Sequence, residues 1–328
     1  MLHHRYATPF HYRTTAEIPA KATVGSAPCA RSADRNGAVD IARFAGALGI
    51  VWFHEHAPFD WLGYAALPMF VAFLLYFALA TTDPENPRRP AGERRRGTRL
   101  LVPWLAWSAI YGAAKVADAL VNGAPIASEF DYWMLLTGAK IHLWFLPFAF
   151  VAGWGLIALL PLVRRHCSFA HLWLAFTAAQ AALFFVLSEY SFARPFYQWL
   201  FVMPAVFLGL MLYLAGGDRL RLLSVALAAA LACWLATSLG WSHGAVQTMI
   251  AAAVCAATLM LPLSASPLTG LLASISLGIY LVHPLISALL KRVPGAEPET
   301  VGFALSVAVL SVAAALAMKQ LPGLRRIV

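Results

Sequence analysis

Charge is scarce in this chain. Asp, Glu, Lys and Arg make up 12% of its 328 residues, about half of the ~25% usual in soluble domains. That excludes both an ordinary soluble globule and a charge-rich disordered chain. Acid is the scarcer sign, with 15 Asp and Glu against 24 Lys and Arg. Cysteine is scarce too. Cys29, Cys167, Cys233 and Cys255 show no CxxC and no metal-ligand spacing, which excludes a zinc ribbon or a disulfide framework and predicts four unpaired thiols. There is no H-E-x-x-H, and no metal is expected. The first 35 residues lack the apolar stretch of a cleavable signal peptide. Residues 1–36 are instead expected to form a disordered cytoplasmic tail. No internal repeat is visible, so the inverted halves typical of many transporters find no support.

What the chain has is apolar length: 61% of residues are hydrophobic, in runs near the ~20 residues that span the ~30 Å hydrocarbon core of a bilayer. The expected fold is all-α, a polytopic membrane domain over 37–328 with ten spans. They fall at about 38–57, 61–81, 100–121, 142–163, 169–188, 199–215, 220–239, 244–262, 268–290 and 300–317. Lys and Arg counting orients them. With a cytoplasmic N-terminus, 18 basic residues fall in inside segments and four (Lys140, Arg194, Lys291 and Arg292) outside. Both termini are then cytoplasmic, in a multi-pass protein of the cell inner membrane. No soluble basic module exists to hold nucleic acid, so none is expected as a partner.

The first span carries Asp40, Arg43 and His54. Eleven residues separate Arg43 from His54, about 20° from eclipse and roughly 16 Å along a helix, so Asp40, Arg43 and His54 share a stripe. Ionisable groups in a span face the protein interior or a water-filled cavity. Two readings follow: an interfacial Asp40–Arg43 pair with a capping histidine, or His54 as general base for a hydroxyl. In the second case activity falls below a pH near the reference histidine value of about 6.5. His56, two residues on, points roughly 200° away, and the two histidines make a poor metal pair.

A run of six arginines in twelve residues precedes the third span: Arg88, Arg89, Arg94, Arg95, Arg96 and Arg99. It reads either as a topogenic signal with lipid-headgroup contacts or as a phosphate site, because guanidinium offers a bidentate fork. Arg96 and Arg99 share one helix face. Two later segments, His142-Leu143-Trp144-Phe145-Leu146 and Tyr280-Leu281-Val282-His283-Pro284, put histidines near the same outer side as His54. Trp144 and Tyr280 also suit an aromatic belt.

Together these segments resemble the acyltransferase-3 family of integral membrane acyltransferases. That family opens with D-G-L-R and a histidine eleven residues after the arginine. Asp40-Ile41-Ala42-Arg43 with His54 keeps the spacing but not the Gly-Leu. Its RxxR before the third span is similar to Arg96-Gly97-Thr98-Arg99, its H-x-W-F-L to the segment at His142, and its Y-L-x-H-P to the segment at Tyr280. The family's second-span F-x-x-S-G element is missing: Met69–Tyr76 holds no Ser-Gly. The resemblance implies O-acyl transfer, most often of acetyl, from cytoplasmic acetyl-CoA or another acyl-CoA as co-substrate to a hydroxyl of a sugar, glycan or glycosylated acceptor. It implies His54 as base with Arg43 and Asp40 ordering the donor entrance. Arg94, Arg95, Arg96 and Arg99 would hold the nucleotide phosphates, and His142, Trp144, Tyr280 and His283 would line the acceptor site. The competing classes are a transporter or flippase of a lipid-linked saccharide, and a non-catalytic membrane scaffold suggested by the missing Ser-Gly.

Overall fold

The computed structural model describes residues 35–82 and 90–328, with side chains from Arg96 onward in the second stretch. The tail 1–34, with Cys29, and the segment holding Arg88 and Arg89 lie outside the described residues, as do the side chains of Arg94 and Arg95. Among the described residues there is no β-strand, only one isolated bridge between Asn36 and Ser264. The chain runs through α1 Gly37–His54, α2 Asp60–Gly63, α3 Ala66–Ala80, α4 Pro90–Asn122, α5 Met134–Thr137 and α6 Phe145–His166. It continues through α7 Phe169–Glu189, α8 Phe196–Ala215, α9 Arg219–Ser238, α10 Ala245–Met260, α11 Pro267–Leu290 and α12 Val301–Gln320.

Among the described residues, eight helical segments are long and apolar enough to cross a membrane. The other two expected spans, the first and the eighth, are also helices. The first is α1, which carries Asp40 and Arg43; the eighth is α10, which is only 16 residues long. The protein is thus an all-α, multi-pass membrane protein. Its exterior fits that solvent, since Val121, Leu159, Leu227, Trp234 and Val309 point outward. The centre is built by α3, α8 and α11, each more than half buried, while α4, α7 and α12 are mostly peripheral.

Local chemistry sets the ends. Asn36, Ser168, Asp218, Ser266 and Thr300 each accept a backbone N–H at a helix start, satisfying donors that the first turn leaves unpaired. Ser266 and Thr269 form a reciprocal capping box behind Pro267, a strong start signal. Asn36 also ties α1 to the α10–α11 connection: its Nδ2 donates to the Thr258 carbonyl at 2.8 Å, and Gly37 N–H donates to the Leu263 carbonyl at 2.9 Å.

Two expected boundaries move. Helix α4 begins at Pro90, ten residues before the apolar run, because the intervening Ala, Glu and Arg are good helix formers. The second span is broken into α2 and α3. Close packing at the centre depends on missing side chains, a common device in membrane bundles. A Cβ on Gly209 would fall 2.8 Å from the Ala72 carbonyl oxygen, so α3 and α8 approach backbone to backbone. Met69, in the stretch lacking Ser-Gly, packs over Gly46 of α1.

Candidate active site

The C-terminal end of α1 delivers His54 as its last helical residue. Its ring stacks on that of His283, with centroids 5.1 Å apart and planes inclined 28°. His283 in turn meets His142 edge-on at 5.7 Å. Three histidines from three chain segments therefore form a row, His54–His283–His142. The middle ring is the most enclosed: His54 is exposed, His142 is buried, and His283 is fully enclosed.

Tyrosines frame the row. Tyr280 donates its hydroxyl to the His142 backbone carbonyl and is itself buried. Tyr111 of α4 packs edge-on against the His142 ring at 5.2 Å and donates to the Leu281 carbonyl at 2.7 Å. Both tyrosines thus spend their only proton on backbone and hold α4, the turn before α6, and α11 together. Trp144 is buried, not part of an interfacial belt, and packs on Phe145 and Phe148. Its recorded ring contacts are with these phenylalanines, so it supports the wall of the site. The nitrogens of His142 and the Nε2 of His283 have no hydrogen-bond partner. Buried polar atoms are rarely left so, and these imidazole nitrogens are free to meet a polar ligand. Among the described residues no group of three or more His, Cys, Asp or Glu is arranged to hold a metal.

Glu55 was not singled out from the sequence. It caps α1 beside His54, is buried, accepts from Ser287 Oγ at 2.9 Å and lies 3.5 Å from Lys291 Nζ. Ser287 and Lys291 sit four and eight residues beyond His283 on α11, so this clamp fixes α1 against the helix that carries His283. The sequence signal was their one-face spacing. Breaking the clamp at Glu55 leaves a buried hydroxyl unpaired and frees a half-exposed ammonium. Glu55→Ala is therefore expected to cost about 1–2 kcal/mol of stability in detergent, and Lys291→Ala under ~1 kcal/mol. Equal losses in thermal unfolding contradict the clamp. His56 lies beyond the helix, at φ 51°, exposed and 3.5 Å from Asp60, so it leaves the row because the helix has ended, not because it points away from a continuing face.

The opposite end of α1 is basic. Asp40 pairs with Arg35 at 2.6 Å, and Arg35 also donates to the Gly270 carbonyl. The sequence had offered Arg43 as the partner of Asp40. Arg35, one residue before the cap, takes the carboxylate, because the chain turns back over the first turn of the helix. Arg43 then lies within electrostatic reach of Asp40, Arg99 and Arg35. Asp40 is the one carboxylate among these neighbours of Arg43, and Arg35 already pairs with it. Arg96 reaches the residue just past the end of α3, with Nη1 3.3 Å from Thr82 Oγ1, while Arg99 is exposed. Such an excess of positive charge is stabilised by an anion, and guanidinium suits a phosphate. Between the two ends, α4 presents Trp104, Trp107 and Tyr111. Trp107 is fully buried and donates to the Ile327 carbonyl at 2.9 Å.

The fold and site define an integral membrane protein with a row of imidazoles at one end, two of them buried, and a guanidinium cluster at the other. Residues 36–319, most of the chain, match the family described as an acyltransferase domain, the acyltransferase-3 family, and the chain belongs to that family. It is a membrane acyltransferase. No curated protein and no solved structure matches it.

Proposed function

We propose that this acyltransferase moves an acyl group, most often acetyl, from cytoplasmic acyl-CoA to a hydroxyl of a sugar or glycan. The observation that supports this most is the composition of α1. One helix carries Arg43 among the guanidinium groups and His54 on the imidazole row, roughly 16 Å apart, a length comparable to an extended pantetheine arm. Arg96 and Arg99, with Arg94 and Arg95 on the same helix, hold the nucleotide phosphates. Arg43 and Asp40 order the entrance. His142, Trp144, Tyr280 and His283 form the acceptor side.

The chemistry balances without a covalent enzyme intermediate. A ring nitrogen of His54 takes the proton of the acceptor hydroxyl, the oxygen attacks the thioester carbonyl, and a new C–O bond forms. The C–S bond breaks, and the proton passes to the departing thiolate, which leaves as CoA. A positioned base of this kind contributes about 10²–10⁴-fold.

The bundle crosses the inner membrane ten times, α1 and α10 included, with both termini cytoplasmic. Reporter fusions at 90, 165 and 218 are expected to read cytoplasmic, and fusions at 125, 193 and 295 external. An external reading at 90 would place the arginines away from acyl-CoA and overturn the mechanism. The reaction itself is tested by mass spectrometry of surface glycans from cells with and without the chain. The expected difference is one acyl mass per modified unit, and identical glycans would contradict the proposal.

A further inference from the structure

His283 sits in the middle of the histidine row, and the residue after it is proline. Pro284 lies inside α11 and has no N–H to donate to the carbonyl four residues back. That carbonyl belongs to Tyr280. The His283 Nδ1 lies 2.8 Å from it. A carbonyl only accepts, so Nδ1 carries the proton, and in the neutral ring Nε2 is then a bare lone pair. Proline thus does two things at one turn of helix. It creates an orphan acceptor in the protein interior, and it leaves the adjacent imidazole as the group that satisfies it.

The consequence falls on Nε2. This atom is buried, has no partner in the structure, and belongs to a ring stacked on that of His54. Tyr280 and Tyr111 cannot supply a donor, because both hydroxyl protons already go to backbone carbonyls. Nor do Ser287 or Lys291, the next polar groups along α11, since both are drawn to Glu55. The His142 ring, edge-on at 5.7 Å between centroids, makes no hydrogen bond to His283 either, so Nε2 stays open to one donor.

Resting on the acyl-transfer reading above, we propose that His283 is a second catalytic residue, whose Nε2 accepts a hydrogen bond from a hydroxyl of the acceptor, and that Pro284 fixes its tautomer for this task. His54 takes the proton of the reacting hydroxyl, while His283 accepts from a neighbouring hydroxyl that keeps its own proton. The acceptor class this selects is a polyol with at least two nearby hydroxyl groups. A mono-alcohol can satisfy His54 or His283 but not both, and leaves a buried nitrogen unpaired.

The first arm of the test needs no substrate. In the full chain, ¹⁵N-histidine NMR is read against His283→Asn to assign the residue. The expected spectrum shows a protonated Nδ1 and a bare Nε2. In Pro284→Ala the restored backbone N–H competes for the Tyr280 carbonyl, and the Nε2-protonated form is expected to appear. A wild-type His283 protonated on Nε2, or a spectrum unmoved by Pro284→Ala, overturns the tautomer argument. The second arm measures glycan acylation in cells at equal membrane abundance. His283→Asn keeps an N–H for the Tyr280 carbonyl and deletes Nε2, and is expected to lower transfer by about 5- to 150-fold. Wild-type transfer that His283→Asn leaves unchanged overturns the role of Nε2. Absence of transfer by the wild-type chain overturns the acyl-transfer reading, and this assignment to substrate with it, while the first arm still reports on the tautomer.

Discussion

His54→Ala is expected to lower acyl transfer by about 10²–10⁴-fold while leaving insertion and donor binding intact. The loss is confined to chemistry because His54 ends α1 and is exposed at the mouth of the row, so its truncation removes no enclosed side chain. Arg43, at the basic end, lies roughly 16 Å away along the same helix, and the phosphate contacts proposed for the donor belong to a different helix, α4. His56→Ala is the matched control. That residue is exposed beyond the helix end with Asp60 as its neighbour, and its loss is expected to change transfer by less than about twofold, since surface changes away from special features cost at most ~0.5 kcal/mol. The two variants are compared at equal membrane abundance. An inactive His56→Ala beside an active His54→Ala would place the base elsewhere.

Arg96→Ala with Arg99→Ala is expected to weaken acyl-CoA binding by at least 10-fold and up to ~150-fold per contact, from the 1.5–3 kcal/mol of a charge-assisted hydrogen bond. Lysine at both positions is expected to restore binding only in part, because the ammonium loses the bidentate fork. The electrostatic setting explains why two residues matter among many arginines. Arg99 lies within electrostatic reach of Arg43, and Arg96 donates to Thr82, just past the end of α3. Arg35, by contrast, is committed to Asp40. Acyl-CoA binding by the double alanine variant equal to that of the wild type would show that the arginines serve topology alone.

The helices were legible in the sequence because bilayer thickness fixes their length. The caps Ser266 and Asp218, at which α11 and α9 begin, were signals the apolar runs left unread. That His54, His142 and His283 lie on one side of the bundle followed from span order alone. Their meeting in one row did not, since periodicity says which residues share a helix face but not which helices adjoin. The same limit hid Tyr111, whose hydroxyl reaches α11 across 170 residues of chain, and the clamp from Glu55 to Ser287, 232 residues apart. It also misdirected Asp40, where a partner on the same helix stripe looked natural and the flanking Arg35 took its place.

The most direct test uses inside-out membrane vesicles containing the full chain, with a saccharide acceptor enclosed and acetyl-CoA labelled in its acetyl group supplied outside. The account predicts that the label appears on the enclosed saccharide, that His54→Ala vesicles fail to place it there, and that the saccharide stays inside. Saccharide crossing the membrane without acquiring label would contradict the account and mark the protein as a carrier.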